Sequence, residues 1–242
     1  MTRVEQGIQL NNQHIYNVEH NIEEPIPFVD QILELGYSSL QMFFDEKVEY
    51  EMQSILHGNV YSVSPANAMP TLRTLVLNNE YGIVSVYTDE TCVHHGGDPS
   101  KTLNVDYCAQ HNIPIYSYDS FGGNIVATEG DYSIALVVPQ SIDISAEFVL
   151  NHTRAILEKY FKHVDIQGND IMIDNKKVCG ATSFGTNDIF FLIYHFSMSD
   201  KAELIHTICG DPTSEKTPGY IDTSILSTQK LMEEMLLWLQ GH

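Results

Sequence analysis

Basic residues are scarce in this chain. Twelve lysines and arginines stand against 32 aspartates and glutamates, giving a formal net charge of −20. A surface of that sign repels phosphate backbones and anionic membranes, which argues against nucleic acid and membrane surfaces as partners. High acidity also serves solubility, but it makes each of the few lysines informative. Only four cysteines occur, Cys92, Cys108, Cys179 and Cys209, with no C-x-x-C pair. That argues against a zinc knuckle or a disulfide framework and suits reduced thiols. No apolar run approaches membrane-spanning length, and the polar start does not read as a signal peptide, so a cytoplasmic protein is expected. Neither G-x-x-x-x-G-K-[ST] nor a G-x-G-x-x-G after a strand is present, so neither common nucleotide fold is signalled.

What is present reads as a folded chain with a real core. Its 242 residues suit one large domain, or one domain with a small appendage. Helical stripes run through Phe28, Ile32, Leu33 and Leu35, then through Phe43, Phe44, Val48, Met52 and Leu56 up to Gly58. "TLRTLVLNN", "YGIVSVYTD" and "IPIYSYD" are short and rich in β-branched and aromatic residues, which predicts strands. Two more strands are expected either side of Glu129-Gly130-Asp131, then a helix over "AEFVLNHTRAILEKYF". A hairpin, the strand "DIFFLIYHFSM", the helix "DKAELIHTICG" and a final helix ending in Met235, Leu236, Leu237 and Trp238 complete the chain. That last hydrophobic end suits core, with an oligomer contact as the other reading. Hairpins outnumber β-α alternation, which predicts an α+β fold with a mainly antiparallel sheet and helices packed on one face. Residues 1–70 are expected to form a helical extension to a domain over 71–242.

The hairpin "NDIMIDNKKVCGATS" sets Lys176 and Lys177 side by side in an acidic chain and follows them with small residues. Asp174-Asn175 can turn the chain between Ile171-Met172-Ile173 and Val178-Cys179-Gly180-Ala181. Lys176 is expected to project to solvent. With Val178 between them, simple strand alternation returns Cys179 to the side of Lys177. A neighbouring ammonium would activate a thiol there; a small buried filler is the favoured reading of Cys179. "CVHHGGDPSK" clusters His94, His95 and Asp98, but no third ligand follows at a familiar spacing, so a loop is expected rather than a metal site.

Three segments in order resemble lipoate-protein ligases and the wider biotin/lipoate ligase and lipoyl(octanoyl)transferase superfamily. "DSFGGNIVATEGDYSIAL" resembles the glycine-rich motif R-R-x-S-G-G-G-A-V-x-H-D-x-G-N. "GNDIMIDNKKVCGATS" resembles R-N-D, a hydrophobic hairpin and K-[IV]-S-G-S-A, and "IFFLIYHFSMSDKAELIHTI" resembles the later H-H-G-T-L-L strand and helix. "KTPGYIDTSIL" is similar to the K-G-[IV]-x-S-V-x-x-[LV] that follows. The resemblance runs from about residue 72 to the C-terminus. It implies a class II ligase-like fold, and attachment of lipoate or octanoate to a lysine of a lipoyl-type carrier domain.

By the same resemblance Lys177 is the catalytic ammonium beside the acyl carbonyl, and Asn169 and Asp170 hold magnesium and phosphates. Ser120, Gly122, Gly123, Asn124, Gly180, Ala181 and His195 then bind substrate, although a structural role suits His195 equally. ATP and magnesium are the implied cofactors. The chain departs from the family where ATP is concerned. Tyr118 and Asp119 stand for the arginine pair, Phe121 for the first loop glycine, Ala127 for a histidine, and Gln167-Gly168 precede Asn169 where arginine is usual. An aspartate facing a triphosphate repels what a bidentate arginine would hold. In the transferase branch a cysteine nucleophile can precede the R-N-D-like stretch, but Val164, Asp165 and Ile166 offer no thiol. Two readings therefore stand: an acyl ligase or acyltransferase, and a catalytically inactive relative serving as a binding or structural subunit. The acidic charge favours the second, because the family's carrier domains are acidic too.

Overall fold

The computed structural model describes residues 40–241 apart from 97–98, 119–122, 143, 186–187 and 211–215. The helical stripe expected around Phe28 to Leu35 lies outside these residues, as does Asp98. The described chain begins with helix α1 (Leu40–Leu56), strand β1 (Val60–Val63), helix α2 (Pro65–Asn78), and strands β2 (Gly82–Tyr87) and β3 (Cys92–Gly96). Helix α3 (Val105–Gln110), β4 (Ile115–Tyr118), β5 (Ile125–Ala127), β6 (Tyr132–Pro139) and α4 (Ala146–Glu158) follow. The C-terminal part holds β7 (Val164–Gln167), β8 (Asp170–Ile173), β9 (Lys176–Gly185), β10 (Ile189–Phe196), α5 (Ala202–Cys209) and α6 (Thr228–Gln240).

Seven strands form one sheet in the order β1-β2-β6-β10-β9-β8-β7, antiparallel except for the β1–β2 pair. The expected mixed α+β architecture is therefore present. The helices, however, divide between the two faces instead of sharing one. Strands β6 and β10 are apolar at both parities, so both faces must be covered. Tyr132, Ile134, Leu136 and Val138, with Leu192, Tyr194 and Phe196, point into a core closed by residues of α1, α4 and α6. Ala135 and Val137, with Ile189, Phe191 and Ile193, point the other way onto Ala68, Leu72 and Leu75 of α2.

"TLRTLVLNN" is the second half of α2, not a strand. Read together with "PANAMP" before it, the buried positions Ala68, Leu72 and Leu75 have helical spacing. Pro65 opens the helix and Asn79, at φ 52°, closes it in the left-handed conformation. The boundary expected at residue 70 falls inside this helix. Met52 and Leu56 of α1 are fully buried in the main core, and β1 extends the large sheet. The strands expected either side of Asp131 are present but belong to different sheets. β5 joins β3 and β4 in a three-stranded sheet, whereas β6 lies near the centre of the large one. "CVHHG", expected as part of a loop, is strand β3 of that small sheet, with His94 and His95 buried.

Residues of α1, α4 and α6 meet at one polar clamp. Glu49 accepts from Trp238 Nε1 at 2.8 Å and from Gln53 at 3.0 Å, and lies 3.6 Å from His152 Nε2. The His152 ring stacks on Trp238 with centroids 4.8 Å apart. Met235 is buried, while Leu237 faces outward. Burial alone would lower the His152 pKa, but the Glu49 hydrogen bond, the Phe148 carbonyl and nearby negative charge raise it above the ordinary 6.5. Glu49 is held below the ordinary 4.5, chiefly by its His152 hydrogen bond.

The His152 contribution is therefore complete below its unfolded pKa and lost as pH rises through the folded one. The Glu49 contribution is complete above its unfolded pKa and lost as pH falls through its folded one. The stability gap between the protein and His152→Ala should thus be wider near about pH 5.5 than near about pH 8. Thermal melts at the two pH values measure it, and a pH-independent gap would reduce the clamp to packing.

Candidate active site

The hairpin places the first functional groups. Asp174 and Asn175 both take positive φ, 49° and 61°, as a two-residue type I′ turn requires. Beyond the turn, Met172 pairs with Lys177 but Ile171 pairs with Cys179, leaving Val178 as an extra residue. This β-bulge interrupts the alternation of side chains. Val178 and Cys179 both point into the main core. Lys177 is turned instead to the face of Gly180, where an added Cβ would lie 3.2 Å from the Lys177 Nζ. The expectation that Cys179 shares the side of Lys177 is thus overturned. Burial also pushes the Cys179 thiol pKa up, which suits a core filler and not a nucleophile.

Asp170 organises the cations. Its Oδ1 lies 2.8 Å from Lys177 Nζ and its Oδ2 lies 2.7 Å from Lys216 Nζ. Lys216 also donates to the Gln167 carbonyl. It arrives on a strap that pairs with the hairpin: Lys177 N donates to Thr217 O at 2.9 Å, and Gly219 N donates to Lys177 O at 2.8 Å. Gly219 must be glycine for this approach, because a Cβ there would lie 2.5 Å from Lys176 Cβ.

A second ionic cluster sits on the neighbouring strand. His195 pairs with Gly180 on one side and with Ser133 on the other. Its Nε2 lies 3.3 Å from Lys201 Nζ, and its Nδ1 is 2.9 Å from Ser133 Oγ. An ammonium has no lone pair, so Nε2 must accept, and Nδ1–H donates to Ser133. Burial, reinforced by the nearby Lys201 charge, keeps the imidazole pKa well below 6.5. Lys201 also donates to Asp131, whose carboxylate accepts from Met198 N at 2.8 Å and Thr128 N at 2.7 Å. Burial draws the Lys201 pKa down, and Asp131 opposes it by favouring the ammonium.

Both clusters face one half-open cavity of about 600 Å³ between the large sheet, β5, α5 and the strap. Lys177, Lys201, Lys216 and Asp170 line it together with apolar Ile125, Val126, Ile193 and Ile205. Of the residues expected at the site, Gly123, Asn124, Gly180, Ala181 and His195 also line it. Asn169 does not: it is exposed, and its carbonyl accepts from Ala181 N at 2.8 Å. Ser120 and Gly122, with Asp119 and Phe121, lie outside the described residues. Lys201, Asp131 and Lys216 are the functional candidates that pattern reading missed. Lys216 stands in a quoted motif, and scarcity of lysine was the signal available for both cations.

Volume, apolar walls and convergent ammonium groups suit a small organic anion. The described residues do not fit a magnesium ion. Both Asp170 oxygens already face ammonium groups, and among the described residues no cluster of three His, Cys, Asp or Glu could hold a metal. Among those residues, too, no helix is long and apolar enough to cross a membrane.

The family model described as "Lipoyl protein ligase A/B catalytic domain" matches residues 71–225. No curated protein matches the sequence significantly. Among solved structures, the chain is similar to a bi-partite lipoate protein ligase from Thermoplasma acidophilum, described with its E2 lipoyl domain, at TM-score 0.63 and 13% identity. That likeness covers 77% of this chain and 83% of the other. A T. acidophilum protein called a putative lipoate protein ligase, with bound lipoic acid, gives TM-score 0.62 at 11% identity over 77% and 86% of the two chains. A lipoate-protein ligase A bound with ATP gives 0.61 at 13% over 77% and 85%. At these identities the likeness carries the fold.

The two carboxylates should differ sharply when removed. Asp131→Ala leaves Lys201 buried without its counter-ion and should cost about 3–5 kcal/mol. Asp170→Ala acts on half-exposed lysines and should cost about 1 kcal/mol or less. Urea denaturation of both variants measures the contrast.

Proposed function

The chain belongs to the lipoyl protein ligase A/B catalytic domain family, and we propose that it transfers lipoate, octanoate or a related medium-chain acyl group to a lysine of a lipoyl-type carrier domain. The observation that carries this reading is the Lys177 ammonium, turned by the Val178 bulge onto a half-apolar cavity and held 2.8 Å from Asp170. The acyl chain lies along Ile125, Val126, Ile193 and Ile205. Lys177 donates to the carbonyl oxygen of an activated donor such as an acyl-adenylate. As the neutral acceptor amine attacks, the amide C–N bond forms, the C–O bond to the phosphate breaks, AMP leaves with the bonding electron pair, and the amine gives up one proton to solvent. The ammonium stabilises the negative charge that builds on oxygen, an effect worth more in a sheltered cavity than in water.

ATP would enter as the activating co-substrate. Lys177, Lys201 and Lys216 are the cations that would meet its phosphates, in place of the arginines the family usually carries. Magnesium has no matching set of oxygen ligands among the described residues, so no step is assigned to it.

Transfer from preformed octanoyl- or lipoyl-adenylate to a lipoyl domain tests the reading. Lys177→Ala should slow transfer by about 10²–10³-fold. No transfer from either adenylate, together with no ATP–pyrophosphate exchange, would overturn it.

A second reading, a ligand-binding subunit without catalysis, is favoured by one observation: Asp170 already pairs with both Lys177 and Lys216. Thermal shift read together with the transfer assay separates the two. A binding subunit is stabilised by the adenylate yet transfers nothing, whereas the enzyme is stabilised and turns over.

A further inference from the structure

Lys201 is one of the most deeply buried cations in the described chain, with 4% of its side chain exposed, yet it lines the cavity. It caps the start of α5, and its carbonyl accepts from Ile205 N at 2.9 Å. Lys201, Ile205 and Cys209 recur every four residues and all line the cavity, so this face of α5 forms part of its wall. The ammonium carries three N–H donors. Asp131 takes one, and His195 Nε2, 3.3 Å away, takes another. The remaining donor belongs to a group anchored from behind on a carboxylate that is itself held by Thr128 and Met198. An anchored ammonium of this kind loses little side-chain freedom when it meets a ligand oxygen.

Its place relative to Lys177 follows from the sheet. His195 touches Lys201 and is the cross-strand partner of Gly180, against which Lys177 Nζ lies. The two ammonium groups therefore flank the same short stretch of cavity wall, one strand apart. We propose that Lys201 is a second oxygen-binding group of the cavity, donating its remaining N–H to an anionic oxygen at the carboxyl end of the acyl substrate. This rests on the acyl-group reading of the cavity and adds a residue that positions the reacting end. Asp131 and His195 act through Lys201: Asp131 keeps it charged, and His195 fixes its direction.

The test compares octanoate with octan-1-ol as probes of the full chain, by titration calorimetry. Lys201→Met alone would strand Asp131, so the variant used is the pair Lys201→Met with Asp131→Asn. That pair removes the buried cation and its counter-ion together. Octanoate should bind the paired variant about tenfold more weakly than the wild type, while octan-1-ol binding is unchanged. Equal octanoate affinity in both proteins, or a parallel loss for both probes, would overturn the proposal.

Should the pair fail to fold, the side-chain ¹⁵N resonance of Lys201 in the wild type, assigned through Lys201→Arg, gives the same decision. It should shift with octanoate and stay fixed with octan-1-ol; no shift with octanoate overturns the proposal. A wild type that binds neither probe overturns this proposal, and the acyl-transfer reading falls with it when the adenylates also give no transfer and ATP–pyrophosphate exchange is absent. Octanoate binding through Lys201 without transfer from the adenylates would sink only the latter.

Discussion

One extra residue in β9 decides which face of the sheet the Lys177 ammonium takes. Without the bulge at Val178, the simple two-residue period would carry Lys177 to the same face as Cys179, into the apolar core. A lysine there would have to lose its charge or unfold the sheet around it. The bulge sends Val178 and Cys179 inward together and leaves Lys177 on the face of Gly180, Asp170 and His195. The strap at 216–219 then closes against the backbone of Lys177 and brings Lys216 to the other oxygen of Asp170.

Charge is used sparingly and locally. In a chain of net charge −20, four lysines, Lys101, Lys177, Lys201 and Lys216, line one cavity, and two of the four are joined to a single carboxylate. The two anchoring aspartates differ in kind. Asp170 lies at a half-open rim, where solvent screens its pairs. Asp131 is fully buried and saturated by backbone, hydroxyl and ammonium donors, so its partner is fixed in place. An acidic exterior around a cationic interior also discourages loose anions at the surface, while the cavity favours one that can reach its walls.

The large sheet makes this arrangement rigid. Its central strands are apolar on both faces, so α1, α4 and α6 must cover one side and α2 the other. What remains of the second face, beyond Ile193 at His195 and Gly180, is left to the small sheet and α5. The cavity occupies that remainder. Within residues 40–70, Met52, Leu56 and β1 belong to the same core and sheet.

Much of this was legible from the chain alone, because it depends on neighbours in sequence. The hairpin turn at Asp174-Asn175, the amphipathic spacing of α4 and α6, the scarcity of lysine and the ordered motifs all act within a few residues of one another. Even there, "TLRTLVLNN" misled, because its helical spacing shows only when Pro65 and Ala68 are included. The pairing of Asp131 with Lys201, 70 residues apart, leaves no local trace. Nor does the shared use of Asp170 by Lys177 and Lys216, or the strand status of His94 and His95. Local sequence determined which segments are helices, turns and apolar strands, since backbone preference and side-chain period are short-range. Tertiary structure alone decided which face Lys177 takes and which carboxylate meets which ammonium, because register and burial are set by strands that meet only in the folded sheet.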